Sequence, residues 1–156
     1  MTVNVGDLAP DFELVDTEKR PVRLSSYRGA KDVVVLFLPG AFTRTCTGEL
    51  CALRDDLSEY QNEGTELLVI SVDQSASQKR WAEEQGFTFP ILSDFWPHGA
   101  VADTYGVLDH EKGTALRGTF IVDRGGVVRW KVVNGSRDPR EPAEYKEVLR
   151  TLGQAG

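Results

Sequence analysis

The apolar run Val33-Val34-Val35-Leu36-Phe37-Leu38 constrains this chain more than any other stretch. Three β-branched residues followed by Leu, Phe and Leu, with no polar residue to mark a wet face, describe a strand buried on both sides. Such a strand must be covered above and below by other elements. Pro39 and Gly40 stop it, because proline has no N–H to give to a sheet and the Pro-Gly pair favours a turn. Beyond the break, Leu50, Leu53, Leu57 and Tyr60 recur at helical spacing, which predicts a helix from about Thr45 to Gln61.

The same alternation of strand and helix continues along the chain. Phe12, Leu14, Val22 and Leu24 alternate with polar residues around the turn Asp16 to Arg20, as a short antiparallel pair does. Leu67 to Val72 reads as a second apolar strand, Ser77 to Gln85 as a helix ending at Gly86, and Phe89 to Leu92 as a short strand. Ala100 to Tyr105 allows one or two helical turns. Thr119 to Asp123 and Val127 to Val133 flank Gly125-Gly126, a hairpin signal. Pro142 opens a last helix, Ala143 to Leu152, at the position where proline is tolerated. Strands interleaved with helices predict an α/β protein. The final hairpin makes the central β-sheet mixed. The arrangement resembles a thioredoxin-like fold with helices on both faces and an N-terminal β-hairpin extension. No repeat, low-complexity stretch or linker divides residues 1–156, so one domain is expected.

Charge excludes several classes of partner. The 156 residues carry 24 acidic and 18 basic side chains, a formal net charge of -6. That balance repels phosphate backbones and anionic headgroups, and no basic run offsets it, so neither nucleic acid nor a membrane is an expected partner. The opening Met1 to Asp7 lacks a basic start followed by an apolar core, and a cytoplasmic location is expected. Cytosolic thiols are kept reduced, so the two cysteines are either inert or redox-active. Two cysteines five residues apart and the distant His98 and His110 do not make a zinc pattern. No metal or cofactor is expected.

The segment Pro39-Gly40-Ala41-Phe42-Thr43-Arg44-Thr45-Cys46 joins the carboxyl end of the buried strand to the start of a helix, where open α/β sheets put their sites. Cys46 falls in the first helical turn. Unpaired N–H groups and the positive end of the helix dipole there favour a thiolate. A cysteine so placed is expected to be reachable rather than packed as core.

Pro39, Thr43 and Cys46 match the Pro-x-x-x-Thr-x-x-Cys motif of the peroxiredoxin family. Ala9-Pro10-Asp11-Phe12 resembles the family's opening, Ser93-Asp94 a later marker, and Arg117-Gly118-Thr119-Phe120 its arginine-bearing strand. Tyr27 to Lys31 and Ser93 to Val101 are most similar to the alkyl hydroperoxide reductase E subfamily of actinobacteria. The resemblance spans about Val3 to Leu152. It implies a thiol-dependent peroxidase in which Cys46 attacks the peroxide and becomes a sulfenic acid. Arg117, whose charge is permanent, would stabilise the thiolate and hold the peroxide oxygens. Thr43 would bridge sulfur and peroxide, although a threonine here also suits a helix N-cap. Pro39 would shield the sulfur, or simply end the strand. Glu49, one turn after Cys46, would orient the arginine, or merely favour the helix dipole.

Cys51 departs from the most similar subfamily and instead resembles the second cysteine of the bacterioferritin comigratory protein, or peroxiredoxin Q, group. There the second cysteine resolves the sulfenic acid as a disulfide. In an ideal helix, five residues separate Cα atoms by about 9 Å, more than the roughly 7 Å a disulfide spans. The helix would have to unwind first. The alternative is a buried helical cysteine beside Leu50 and Leu53. The resolving reading implies thioredoxin or another dithiol as reductant, and the alternative implies an outside thiol. The subfamily resemblance also implies a homodimer. Two other readings compete: a thiol-disulfide oxidoreductase, which typically uses Cys-x-x-Cys, and a non-catalytic binding domain on the same fold.

Overall fold

The computed structural model describes residues 3–135 and 140–155. Its frame is a seven-stranded sheet made of β1 (Glu13–Val15), β2 (Pro21–Arg23), β3 (Asp32–Phe37), β4 (Thr65–Ser71), β5 (Ile91–Ser93), β8 (Arg117–Val122) and β9 (Val128–Asn134). Their order across the sheet is β2-β1-β5-β4-β3-β8-β9. The expected buried strand is β3, which pairs in parallel with β4 and antiparallel with β8. It therefore lies inside the sheet, with every residue buried. The expected N-terminal hairpin is β1–β2, and it extends the sheet through Val15 beside Ser93. The C-terminal hairpin is β8–β9, turning at Gly125-Gly126 with Gly126 at a positive φ of 85°.

Alternation along β3 feeds two cores. Val33, Val35 and Phe37 join Phe12, Leu68, Tyr105 and Phe120 on one face. Val34, Leu36 and Leu38 join Leu50, Leu53, Trp81 and Tyr145 on the other. Each side chain so buried contributes about 1.5–3 kcal/mol, so neither face of β3 can be opened cheaply. The second core is covered by α1 (Arg44–Asp55), α2 (Ser75–Gln85) and α4 (Pro142–Ala155). The first is covered by the short α3 (Ala100–Thr104) and the N-terminal segment from Val3 to Phe12. Helices do lie on both faces, but the three long ones share one. Among the described residues no helix is long and apolar enough to cross a membrane.

Several element bounds differ from the sequence expectation by a few residues, α2 starting at Ser75 and β4 at Thr65 among them. The first helix stops at Asp55, because Asp56 leaves helical geometry at φ -132° and ψ 35°. A 3-10 turn, Leu57–Glu59, then carries the chain on and keeps Tyr60 buried. The short strand expected at Phe89 to Leu92 is β5, which begins at Ile91, after Pro90, and runs to Ser93. A small hairpin of β6 (Leu108–Asp109) and β7 (Thr114–Ala115) was not expected, since two-residue strands are too short to show alternation.

The parallel strands β3, β4 and β5 end at one edge of the sheet. The loops after β3 and β4 and the last residue of β5 are bonded together there: Ala41 N donates to Asp73 Oδ2 at 2.8 Å, and Ser93 Oγ donates to the Asp73 carbonyl at 2.7 Å.

Candidate active site

At that edge, α1 begins with Thr43 as its N-cap: the Thr43 hydroxyl accepts from Cys46 N at 3.2 Å. Cys46 then lies in the first turn, as expected. Its burial is a departure from the sequence expectation, because the residue is 0% exposed and packs with Leu38, Leu50 and Trp81. The reason lies in the helix itself: residues 46, 49, 50 and 53 share the stripe that faces the sheet. The sulfur is nevertheless not held by apolar groups alone. Arg117 Nη2, from the start of β8, donates to Cys46 Sγ at 3.2 Å.

Arg117 is itself 1% exposed. A buried guanidinium needs a counter-charge, and Glu49 supplies it, with Oε1 taking a hydrogen bond from Arg117 Nη1. One turn separates Cys46 from Glu49 on α1, so a single helix face presents both sulfur and carboxylate to one guanidinium. The dipole alternative for Glu49 does not fit, because the residue lies beyond the first turn of α1 and is buried.

A second buried arginine completes the cluster, and sequence reasoning missed it. Arg140 donates from its backbone N and Nε to Glu49 Oε2, at 2.7 and 3.0 Å, and from Nη2 to Oε1 at 2.9 Å. Its Nη1 reaches the carbonyls of Phe37 and Gly118 and the hydroxyl of Thr119, at 2.8, 2.9 and 3.1 Å. It thus ties the ends of β3 and β8 to α1. Burial alone would push the Glu49 carboxyl up, but the hydrogen bonds and charge of Arg140, and then the charge of Arg117, hold it below the usual carboxylate range. Thr119 continues the network to the Tyr145 hydroxyl at 2.9 Å. Burial pushes that phenol up to about 12.

The remaining sequence-predicted residues stand at different distances from this centre. Thr43 is exposed, and its hydroxyl both caps α1 and donates to the Gly40 carbonyl at 3.4 Å. Its capping role is therefore realised, and the hydroxyl is on the loop that leads into Cys46. Pro39 is half-buried directly after the last apolar residue of the strand run. Cys51 is not brought to the cluster. It is a free, half-buried cysteine within intact α1, and its Sγ donates to Gln85 Oε1 at 3.8 Å. Arg140 carried no motif and no periodicity. The only sequence signal was an excess cation close to the last helix, which a surface residue would give equally well.

The model of the AhpC/TSA family matches residues 5–131, a span that takes in Cys46, Glu49 and Arg117. This chain belongs to the AhpC/TSA family. It is a peroxiredoxin, a thiol-dependent peroxidase on a thioredoxin-type fold. Alkyl hydroperoxide reductase E of Mycobacterium tuberculosis is 47% identical to it over 96% of this chain and 98% of the relative. Among solved structures, peroxidoxin BcpB from M. tuberculosis is 32% identical with a TM-score of 0.85, covering 96% of this peroxiredoxin and 98% of the other chain. AhpC of Enterococcus faecalis is 28% identical with a TM-score of 0.87, covering 99% and 95%.

Proposed function

We propose that Cys46 is the peroxidatic residue and that the chain reduces hydrogen peroxide and organic hydroperoxides at the expense of a thiol. The observation that carries this reading is the guanidinium of Arg117 donating to the Cys46 sulfur inside a braced, buried cluster. Two guanidiniums and one carboxylate converge there, and a thiolate brings the anions of this group level with the cations. A fixed cation beside sulfur favours the anionic nucleophile.

In the reaction, the thiolate attacks one peroxide oxygen, an S–O bond forms and the O–O bond breaks. The sulfur is oxidised to sulfenic acid and the peroxide is reduced to an alcohol or water, its departing oxygen taking a proton. Arg117 acts where that oxygen gains negative charge. Glu49 and Arg140 position Arg117. Thr43, on the exposed lip, holds the entrance loop and offers a hydroxyl to the peroxide, and Pro39 keeps water from the sulfur. Cys51 then resolves the sulfenic acid as an intramolecular disulfide with loss of water, and thioredoxin or another dithiol reduces it. The chain works as a single-domain cytoplasmic enzyme and as a homodimer.

Stopped-flow consumption of hydrogen peroxide and of an alkyl hydroperoxide tests the first step. Rapid loss in the wild type and none in Cys46→Ala is expected. A wild-type rate no faster than a free thiol would overturn the assignment.

A second reading concerns the reductant. Cys51 is held in an intact helix and bonded to Gln85, which suits a one-cysteine cycle completed by an outside thiol. Intact mass after one equivalent of peroxide separates the two: loss of two hydrogens marks the disulfide, and gain of one oxygen marks a persistent sulfenic acid.

A further inference from the structure

Thr43 and Pro39 lie on a loop that makes few bonds of its own. Its best-defined anchor comes from elsewhere in the fold. Ala41 N donates to Asp73 Oδ2 at 2.8 Å, across 32 residues of sequence. We infer that Asp73 is a positioning residue for the peroxidase reaction, fixing through the Ala41 amide the turn that carries Pro39 and Thr43 over the Cys46 sulfur. The inference rests on Cys46 being the peroxidatic residue.

The carboxylate of Asp73 is itself locked. Ser71 Oγ donates to the same Oδ2 at 2.7 Å. That hydroxyl in turn accepts from Gln78 Nε2 at 2.9 Å. Gln78 is wholly buried on α2, and its Nε2 also donates to the Leu92 carbonyl at 2.9 Å. Turning this amide over would set its oxygen against the carbonyls of Ser71 and Leu92, so its direction is fixed. Among the described residues Gln78 Oε1 has no hydrogen-bond partner, which is the cost of committing the nitrogen to this arm. The Asp73 main chain is held as well, its carbonyl accepting from Ser93 Oγ. The carboxylate at Ala41 is thus the tip of a bracket built from β4, β5 and α2.

The loop needs such a bracket. Phe42, the residue after Ala41, sits at a φ of 66°, a left-handed conformation that bulky side chains avoid. It persists only where the surroundings impose it. Its ring is half exposed and reaches Trp81, with ring centres 6.2 Å apart. A loop released at Ala41 is free to relax Phe42. Gly40 and Thr43 would move with it, since Thr43 Oγ1 bonds the Gly40 carbonyl. The N-cap bond to Cys46 N moves in turn. Release therefore disorders the entrance on one side and uncovers a buried sulfur on the other.

These two consequences have opposite signs for two reagents, and the test exploits that. The rate constants of Cys46 with hydrogen peroxide and with a bulky aromatic disulfide are measured for wild type, Asp73→Ala, Asp73→Asn and Ser71→Ala, each in a Cys51→Ser background, with thermal melting recorded alongside. Asp73→Ala is expected to lose about tenfold to a hundredfold in the peroxide rate, the usual scale for ångström misplacement, while its reaction with the disulfide speeds up. Asp73→Asn keeps an oxygen acceptor for Ala41 and recovers most of the peroxide rate. Ser71→Ala moves both rates in the directions of Asp73→Ala, by less, and serves if Asp73→Ala does not fold. Peroxide rates unchanged in both Asp73→Ala and Ser71→Ala would overturn the inference, as would both reagents slowing together with a lowered melting point. A wild type inert to peroxide would instead overturn the assignment of Cys46.

Discussion

Arg117 Nη2 stands 3.2 Å from Cys46 Sγ, and both side chains are closed to solvent. The two residues are 71 positions apart. They meet because β8 runs antiparallel beside β3, whose carboxyl end leads into the loop before α1. A guanidinium so placed touches the sulfur proposed as nucleophile before any substrate arrives and cannot give up its charge.

Replacing it is therefore expected to slow the peroxide step more than it weakens the fold. Arg117→Lys keeps the charge but cannot hold Glu49 with one nitrogen and the sulfur with another. Its second-order rate constant with hydrogen peroxide should fall by about 10²–10³-fold, the scale for loss of one aimed donor. Stopped-flow kinetics checks this. A lysine variant with the wild-type rate would show that charge alone suffices.

Glu49 leads to a prediction about acid. Its carboxyl is held below the ordinary value of 4.5 by the two arginines, against the effect of burial. A depressed carboxyl stabilises the fold above the unfolded value, and that contribution is lost as pH falls through the folded one. Chemical denaturation from pH 6 downward should therefore show stability falling below about pH 4.5, and Glu49→Gln should remove this part of the slope. The glutamine leaves two buried guanidiniums without their carboxylate. A loss of about 3–5 kcal/mol at neutral pH is expected, the scale for breaking a buried ion pair. An unchanged slope in Glu49→Gln would assign the acid lability to other carboxyls.

How much of this was legible in the sequence follows from how local each signal is. The strand at Val33 could be read from its unbroken apolar run, and the helix after it from the helical spacing of Leu50, Leu53, Leu57 and Tyr60. The chain run from Pro39 to Cys46 could be read because its residues are contiguous. Arg117 entered through family resemblance, since nothing within its own strand marks it as facing a cysteine. Arg140 was missed altogether. Its partners are Glu49, Phe37, Gly118 and Thr119, none nearer than 21 residues in sequence, and only the folded sheet brings them together. The burial of Cys46 was also misjudged. Being first-turn and being on the inner stripe are compatible, and the helix register decides the second.

Arg140 should be a stability residue first. Its side chain makes five hydrogen bonds to buried acceptors, two of them strand carbonyls. Arg140→Met fills similar volume and keeps the backbone N–H on Glu49, but it removes these side-chain bonds, and each buried acceptor left without a partner costs about 1–3 kcal/mol. The urea midpoint should fall clearly, and the peroxide rate should fall with it because Glu49 loses a brace. Double-mutant cycles with Glu49→Gln should give strong coupling, above about 1 kcal/mol. Additive losses would mean that Arg140 supports the strands and not the carboxylate.

Cys51 supplies the last test, because its chemistry and its geometry oppose each other. Both cysteines are free and both lie within α1. Five helical residues hold their Cα atoms about 9 Å apart, beyond the roughly 7 Å that a disulfide tolerates. The Cys46 end is held by the Thr43 cap and the Arg117 bond, and the Cys51 end by Gln85 on α2. In the proposed cycle, resolution must break the helix between them, so it is expected to wait on local unfolding and to be slower than peroxide attack. One equivalent of hydrogen peroxide should produce two kinetic phases in the wild type, and far-ultraviolet circular dichroism should lose helix only in the second. Cys51→Ser should keep the first phase and its full helix signal. Mild denaturant below the unfolding transition should speed the second phase while leaving the first nearly unchanged. A disulfide that forms with no loss of helix would show that the pair closes by another route, and a wild type that shows only the first phase would leave Cys51 as a packed helical residue.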